Sequence, residues 1–313
     1  LLPYLSGSFG ARSLYTQGSS ADWQGDSRPL PDLGLAWPRP ELADAAFHHN
    51  GTVFLDLFHG EAPFGCAVNA EAEQAVNAEE AVGICHAIVF EVEHTKLLVL
   101  LADEPERLMR SLLDNLKWGR VEINLVDFHG PKFGSVDNRL MALELVKASL
   151  TPAILFSPDC KVEIPSEALY KHSVLAMRGK FKPVMNSDMA RLNHAKELFV
   201  NHPDVSLGST IYLAEITMSE LANEGEIETA DFLSRIDQLS KLGFHVLISE
   251  FFRYFRVRQY LAHYTEEPVA IVTDVDGFSE VAREDYYEGL DGGILEGFGQ
   301  LFPPKTTAYV CPN

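Results

Sequence analysis

The feature that most constrains this chain is an alternation along most of its length. Short runs of β-branched and apolar residues are followed by amphipathic stretches of helical length. The apolar runs at 53–58, 87–92, 97–101, 121–128, 153–156, 174–177, 211–216, 245–249, 269–273 and 307–310 read as strands. The stretches at 67–82, 104–116, 135–149, 187–200, 229–242, 254–264 and 293–301 read as helices. Several helix ends carry capping chemistry. Asp103 stands ahead of EPERL with Pro105 near the first turn, and Ser187 or Asp188 stands ahead of MARLNHAKELF. Gly243 follows the stretch ending at Leu242 as a stop. Strands apolar on both faces and separated by helices imply a mostly parallel sheet covered on both sides. The expected fold is therefore α/β and doubly wound. A closed barrel is the alternative, because eight or nine strand–helix units in about 260 residues also satisfy closure. Only HAIVFEVEHTKLLVLLA, near His94 and Thr95, reads as an antiparallel hairpin.

Beyond residue 50 there is no Gly/Ser-rich or Pro-rich linker, so 51–313 reads as one α/β domain. Residues 1–50 differ. Prolines at 29, 31, 38 and 40 accompany Trp23, Trp37 and Phe47, which suggests an extended arm whose aromatic residues pack on the body or on another chain. The opening LLPYLSGSFGARSLYTQ is apolar, contains Ser and Arg and lacks acids. It resembles the remnant of an organelle transit peptide, so an organelle matrix or stroma is one expected location and the cytoplasm the other.

Forty-five acidic side chains against 25 basic ones give a formal net charge of −20. Such a surface repels phosphate backbones, so nucleic acid is not an expected partner. No apolar run reaches the roughly 18 residues of a spanning helix. Cys66, Cys85, Cys160 and Cys311 are far apart and form no Cys-x-x-Cys pair, which argues for reduced, buried thiols.

Ligands of parallel sheets sit beyond the carboxyl ends of strands, so the residues there are the natural candidates. They are His59 and Glu61, Asp127 and His129, Asp159, Arg178 and Lys180, Glu215, Glu250 and Asp274. His59 and His129 share an echo, DLFHGEAPFG and VDFHGPKFG, which reads either as equivalent loops at one sheet edge or as tight turns. His59, Asp127, His129 and Glu215 are ligand types for zinc, manganese or iron. No His-Glu-x-x-His or His-x-His spacing accompanies them, so a divalent metal is not the expected cofactor.

The segment SVLAMRGKFKPVMNSDMARLNHAKELF predicts a strand, a loop with Gly179, Lys180 and Lys182, and a helix starting near Ser187. Backbone N–H groups and lysines at such a turn suit an anion, which makes a nucleotide the possible ligand. The segment resembles the nucleotidyltransferase signature, a strand followed by G-x-F-x-P-x-H-x-G-H. Gly179, Phe181 and Pro183 match; Met185 replaces the first histidine, and Ser187-Asp188 replaces the Gly-His pair. In that family the histidines stabilise charge on the transferring phosphates. ISEFFR, with Ser249 and Arg253, is similar to the family's phosphate-binding I-S-x-T-x-x-R segment without its threonine. Arg253, Arg256 and Tyr260 recur at helical spacing, a composition that protein interfaces favour. Interface candidates are therefore Trp23, Trp37, Arg256 and Tyr260. DGGILEGFGQLF lacks the Lys-Ser/Thr of a phosphate loop and reads as a tight turn before a packed helix.

Together LYKHSVLAMRGKFKPV, VLISEFFRYFRVRQYLAHYT and YYEGLDGGILEGFGQLF resemble a bacterial family of uncharacterised proteins often labelled nicotinate-nucleotide adenylyltransferases. The resemblance spans about residues 165–313. Members continue beyond the position of Cys311-Pro312, which implies a shortened end here. With the imidazoles replaced, the expected function is a non-catalytic, adenylyltransferase-like subunit associated with other protein subunits. The alternatives are a nucleotide-binding enzyme of that class and a metal-dependent enzyme using the strand-end acids and histidines.

Overall fold

The computed structural model describes residues 10–16, 28–29, 36–37, 50–59, 62–72, 107, 121–129, 133–206, 209–222 and 226–312. The chain forms two compact units, Leu1–Thr151 and Pro152–Asn313. The first holds β1 (Gly10–Thr16), the short pair β2 (Arg28–Pro29) and β3 (Ala36–Trp37), β4 (Asn50–His59), β5 (Ala62–Ala72), β6 (Val121–His129) and helix α1 (Asn138–Lys147). Strands β1, β4, β5 and β6 lie side by side in that order, antiparallel throughout. Three strands thus fall inside 1–50, and Gly10–Thr16 pairs along its whole length with β4.

The helix expected at 67–82 is corrected at its start, where residues 67–72 belong to β5. The alanines there favour a helix, but propensity is a weak prior, and pairing with β4 on one side and β6 on the other outweighs it. The strands expected at 87–92 and 97–101 lie outside the described residues, as do Trp23 and Phe47. Of the helix at 104–116 only Arg107 is described, and it is helical. Helix α1 begins where expected: Asp137 caps it by accepting from the Arg139 N–H. Asn138 pins the end of β6, accepting from the Phe128 N–H at 2.8 Å and donating to the Phe128 carbonyl and to Asp127.

The second unit contains β7 (Ala153–Phe156), β8 (Val162–Glu163), α2 (Pro165–Ala168), β9 (Ser173–Arg178), α3 (Asn186–Val200), β10 (Thr210–Thr217), α4 (Met218–Leu221), α5 (Thr229–Lys241), β11 (His245–Ser249), α6 (Tyr254–Tyr264), β12 (Val269–Asp274), α7 (Val275–Val281), a 3-10 turn (Glu284–Tyr287), α8 (Gly293–Leu301) and β13 (Thr306–Cys311). The sheet order is β13-β12-β9-β10-β11-β7-β8. The five strands from β13 to β11 are parallel; β7 and β8 extend the sheet antiparallel. β13 and β8 do not pair, so the sheet is open and the barrel alternative is set aside in favour of the doubly wound form. Nearly every residue of β7, β9, β10, β11 and β12 is buried, as parallel strands covered on both faces require.

The chain order positions the site. From β9 the chain winds to β10 and β11, then crosses back to β12 on the other flank of β9 and on to β13. The winding direction reverses between β9 and β12, and there the crossover helices diverge and leave a crevice at the carboxyl ends of the strands. One core cluster gathers Val174, Ala176, Leu213, Leu247, Leu261 and Val269. Another packs Phe255, Tyr286, Tyr287 and Leu301 beneath α8.

Candidate functional site

A cavity of about 70 Å³ occupies that crevice, lined by Arg178, Arg191, Tyr254, Thr273, Asp274 and Gly277 among others. The lining follows from the topology: Arg178 ends β9, Thr273 and Asp274 end β12, Arg191 lies on α3, and Tyr254 opens α6.

Arg178 is the centre of a closed network. Its Nε donates to Glu215 Oε2 at 2.9 Å and its Nη2 to Glu215 Oε1 at 2.8 Å, a two-pronged pairing with the end of β10. The same guanidinium donates to the carbonyls of Phe251 and Phe252 and lies 4.4 Å from the centre of the Tyr254 ring. Ser249 Oγ, fully buried at the end of β11, donates to Glu215 Oε1 at 2.7 Å. Burial disfavours charge on Arg178, but Glu215 outweighs it and holds the guanidinium above its ordinary value. Burial pushes the phenol of Tyr254 up and that of Tyr286 up to about 12; the Tyr286 hydroxyl accepts from the Tyr254 N–H.

Arg191 forms the opposite wall. Nη1 donates to Asp274 and Nη2 to Asp188, each at 2.7 Å. Burial again opposes its charge, and the two carboxylates raise it above the ordinary value. Asp274 also caps α7, accepting from the Gly277 N–H at 2.8 Å. Gly277 is dictated by space, since a Cβ there would lie 2.5 Å from Thr273 Oγ1. Two guanidiniums therefore meet three carboxylates, Glu215, Asp188 and Asp274.

The loop between β9 and α3 turns much of its expected phosphate-binding chemistry inward. Phe181 is buried with φ of +46°, and its ring lies against Gly179, where a Cβ would come within 3.0 Å. The Lys180 carbonyl accepts from Arg235 at 3.0 Å, while the Lys180 side chain is exposed. Lys182 pairs with Asp231 at 3.1 Å. Asp188 accepts from the Met185 N–H at 2.9 Å, so the entrance to α3 carries the chain's own carboxylate where an anion would be bound. Met185 is 55% exposed, and His194 is an exposed residue of the helix.

Arg253 donates to the Glu288 carbonyl at 3.0 Å and faces the Tyr286 ring. Arg256 is exposed, but Tyr260, expected to share its face, is buried against Phe251 and Tyr264 in the core. Trp37 lies in β3, paired with Arg28. The metal candidates divide between the units. His59 and His129 end strands β4 and β6, which flank β5 and run in the same direction; Asp127 is exposed in β6; Glu215 belongs to the second unit and is taken by Arg178. Among the described residues no group of three or more His, Cys, Asp or Glu is placed to hold a metal ion. Gly293 adopts φ of +55° and Glu296 accepts from the Gly292 N–H, which makes DGG the tight helix entrance expected.

Among the polar lining residues, Arg191, Tyr254 and Thr273 escaped the sequence reading. Arg191 was signalled only by its i,i+3 spacing from Asp188, and Tyr254 by its place at the opening of a helix after a strand end. No helix among the described residues is long and apolar enough to cross a membrane. Comparison of the chain with protein-family models, curated proteins and solved structures returns no match.

Proposed function

We propose that the chain is a non-catalytic, adenylyltransferase-like α/β protein that serves as an accessory or structural subunit of a larger assembly. The observation that carries this reading is the entrance to α3. The turn that in a nucleotidyltransferase offers imidazoles and free N–H groups to phosphate here offers Met185, Ser187 and a carboxylate, Asp188, already bound to the Met185 N–H. The surrounding charges support it. Arg178, Arg191 and Lys182 are each matched by an acid, which leaves the exposed Lys180 as the loop's remaining base for a triphosphate. The cavity, about 70 Å³, is small beside the roughly 300–1,000 Å³ of ordinary ligand pockets.

The test of the subunit role is size-exclusion chromatography of the protein extracted under native conditions from its source. Elution within a complex much heavier than the 34.8 kDa chain is expected. Elution as a free monomer or dimer would overturn the role and return the crevice to consideration as a ligand site.

A further inference from the structure

We propose that the outer face of α8 is a docking surface for a basic amphipathic helix of a partner protein. The proposal rests on the subunit reading and names the chemistry of the partner.

Helix α8, Gly-Ile-Leu-Glu-Gly-Phe-Gly-Gln-Leu, has Glu296 as its single charged residue. A helix this apolar is normally covered on most sides. At about 100° per residue its positions sort cleanly around the axis. Gly297 and Leu301 face inward and are buried; Gly297 is so close to Tyr287 that a Cβ would lie 1.9 Å from the ring. Ile294, Phe298 and the following Phe302 come next and are only partly buried. Beyond them lie Leu295, 82% exposed, and Gly299, whose Cβ position is open. Glu296 and Gln300 close the circle on the polar side. The apolar arc thus covers about half the circumference or more, wider than the side the core uses. Its exposed margin, Leu295 over Gly299, is a raised leucine beside a flat step, a shape that accepts another helix.

The surrounding charge selects the occupant. On the approach to α8 the bases are Arg283, which is paired with Asp285, and Arg253, which is bound to the Glu288 carbonyl. Glu284, Glu288 and Asp291 on the approach to α8 are exposed. A second copy of a chain with net charge −20 would bring like charge to this rim, and an anionic membrane would be repelled by it. A helix with leucine-type anchors flanked by Lys and Arg satisfies both the apolar margin and the acidic rim.

The full chain is titrated against a fluorescent Lys/Leu peptide of about five helical turns, with leucines at i, i+3, i+4 and i+7 spacing, and against a scrambled peptide of equal composition. Anisotropy is expected to show saturable binding of the amphipathic peptide, at least about tenfold tighter than the scrambled one. Leu295→Ser and Gly299→Gln leave the net charge unchanged and lie on an exposed surface, so the fold is retained; each is expected to weaken binding at least about tenfold. Equal affinity for both peptides, or binding unaffected by the two variants, would show charge attraction alone and overturn the proposal. Self-association of the chain by sedimentation, abolished by Leu295→Ser, would also overturn it by making a second copy the occupant. Absence of the peptide effect in a protein that still elutes in a large complex would sink this surface and leave the subunit role standing.

Discussion

Glu215 is the residue on which the crevice depends. It is 2% exposed, binds Arg178 through both oxygens and accepts from Ser249. Removing one member of a buried pair strands the other without compensation. Glu215→Ala should therefore cost about 3–5 kcal/mol of stability, read as a lowered urea midpoint. A midpoint within error of the parent would show that Arg178 finds another partner. At alkaline pH the relevant group is Tyr286. Its folded value, about 12, exceeds that of an unfolded tyrosine, so its contribution is complete below the unfolded value and is lost as pH rises towards about 12. Phenolate absorbance should show late-titrating tyrosines, one fewer in Tyr286→Phe. Arg178, Glu215 and Ser249 were all visible in the sequence, because each lies at or near the end of an apolar run. Their mutual pairing was not, because it depends on β9, β10 and β11 being neighbours in the sheet. The same dependence explains Tyr260: helical spacing placed it beside Arg256, but the packing of α6 on Phe251 and Tyr264 takes it into the core.

At the scale of elements, the two glycines of α8 make opposite predictions for one substitution. Gly297→Ala forces a methyl into the Tyr287 ring and should destabilise by about 1–3 kcal/mol. Gly299→Ala meets open space and should stabilise the helix by about 0.5–1 kcal/mol. Thermal or denaturant unfolding of the two variants checks both signs, and equal effects would refute the packing described for this helix. Helices α6 and α8 were legible at both ends, since Tyr254–Tyr264 and Gly293–Leu301 coincide with the expected 254–264 and 293–301. Each is bounded by turn or strand signals that act within a few residues. Strand β5 was not legible over 67–72, because its alanines favour a helix and only the strands on either side overrule them.

For the whole molecule, the sequence disclosed an α/β class and a parallel sheet through its doubly apolar strands. It favoured the doubly wound sheet but kept the barrel as an alternative, since strand order is set by which crossovers reverse, and no local residue reports that. The reversal between β9 and β12 then decides the site: it puts Arg178 at the end of β9 and Thr273 and Asp274 at the end of β12 on one crevice, with Arg191 bridging Asp188 and Asp274. We propose that the turn after β9 resembles that of a nucleotidyltransferase in sequence but lacks the charge chemistry of that class. The most direct measurement is pyrophosphate release by the full chain incubated with ATP, magnesium and nicotinate mononucleotide. Loss of preorganised charge stabilisation costs about a hundredfold or more in rate per group, so release no faster than in a protein-free control is predicted. Turnover at ordinary enzyme rates, of about 1 per second or faster, would contradict it.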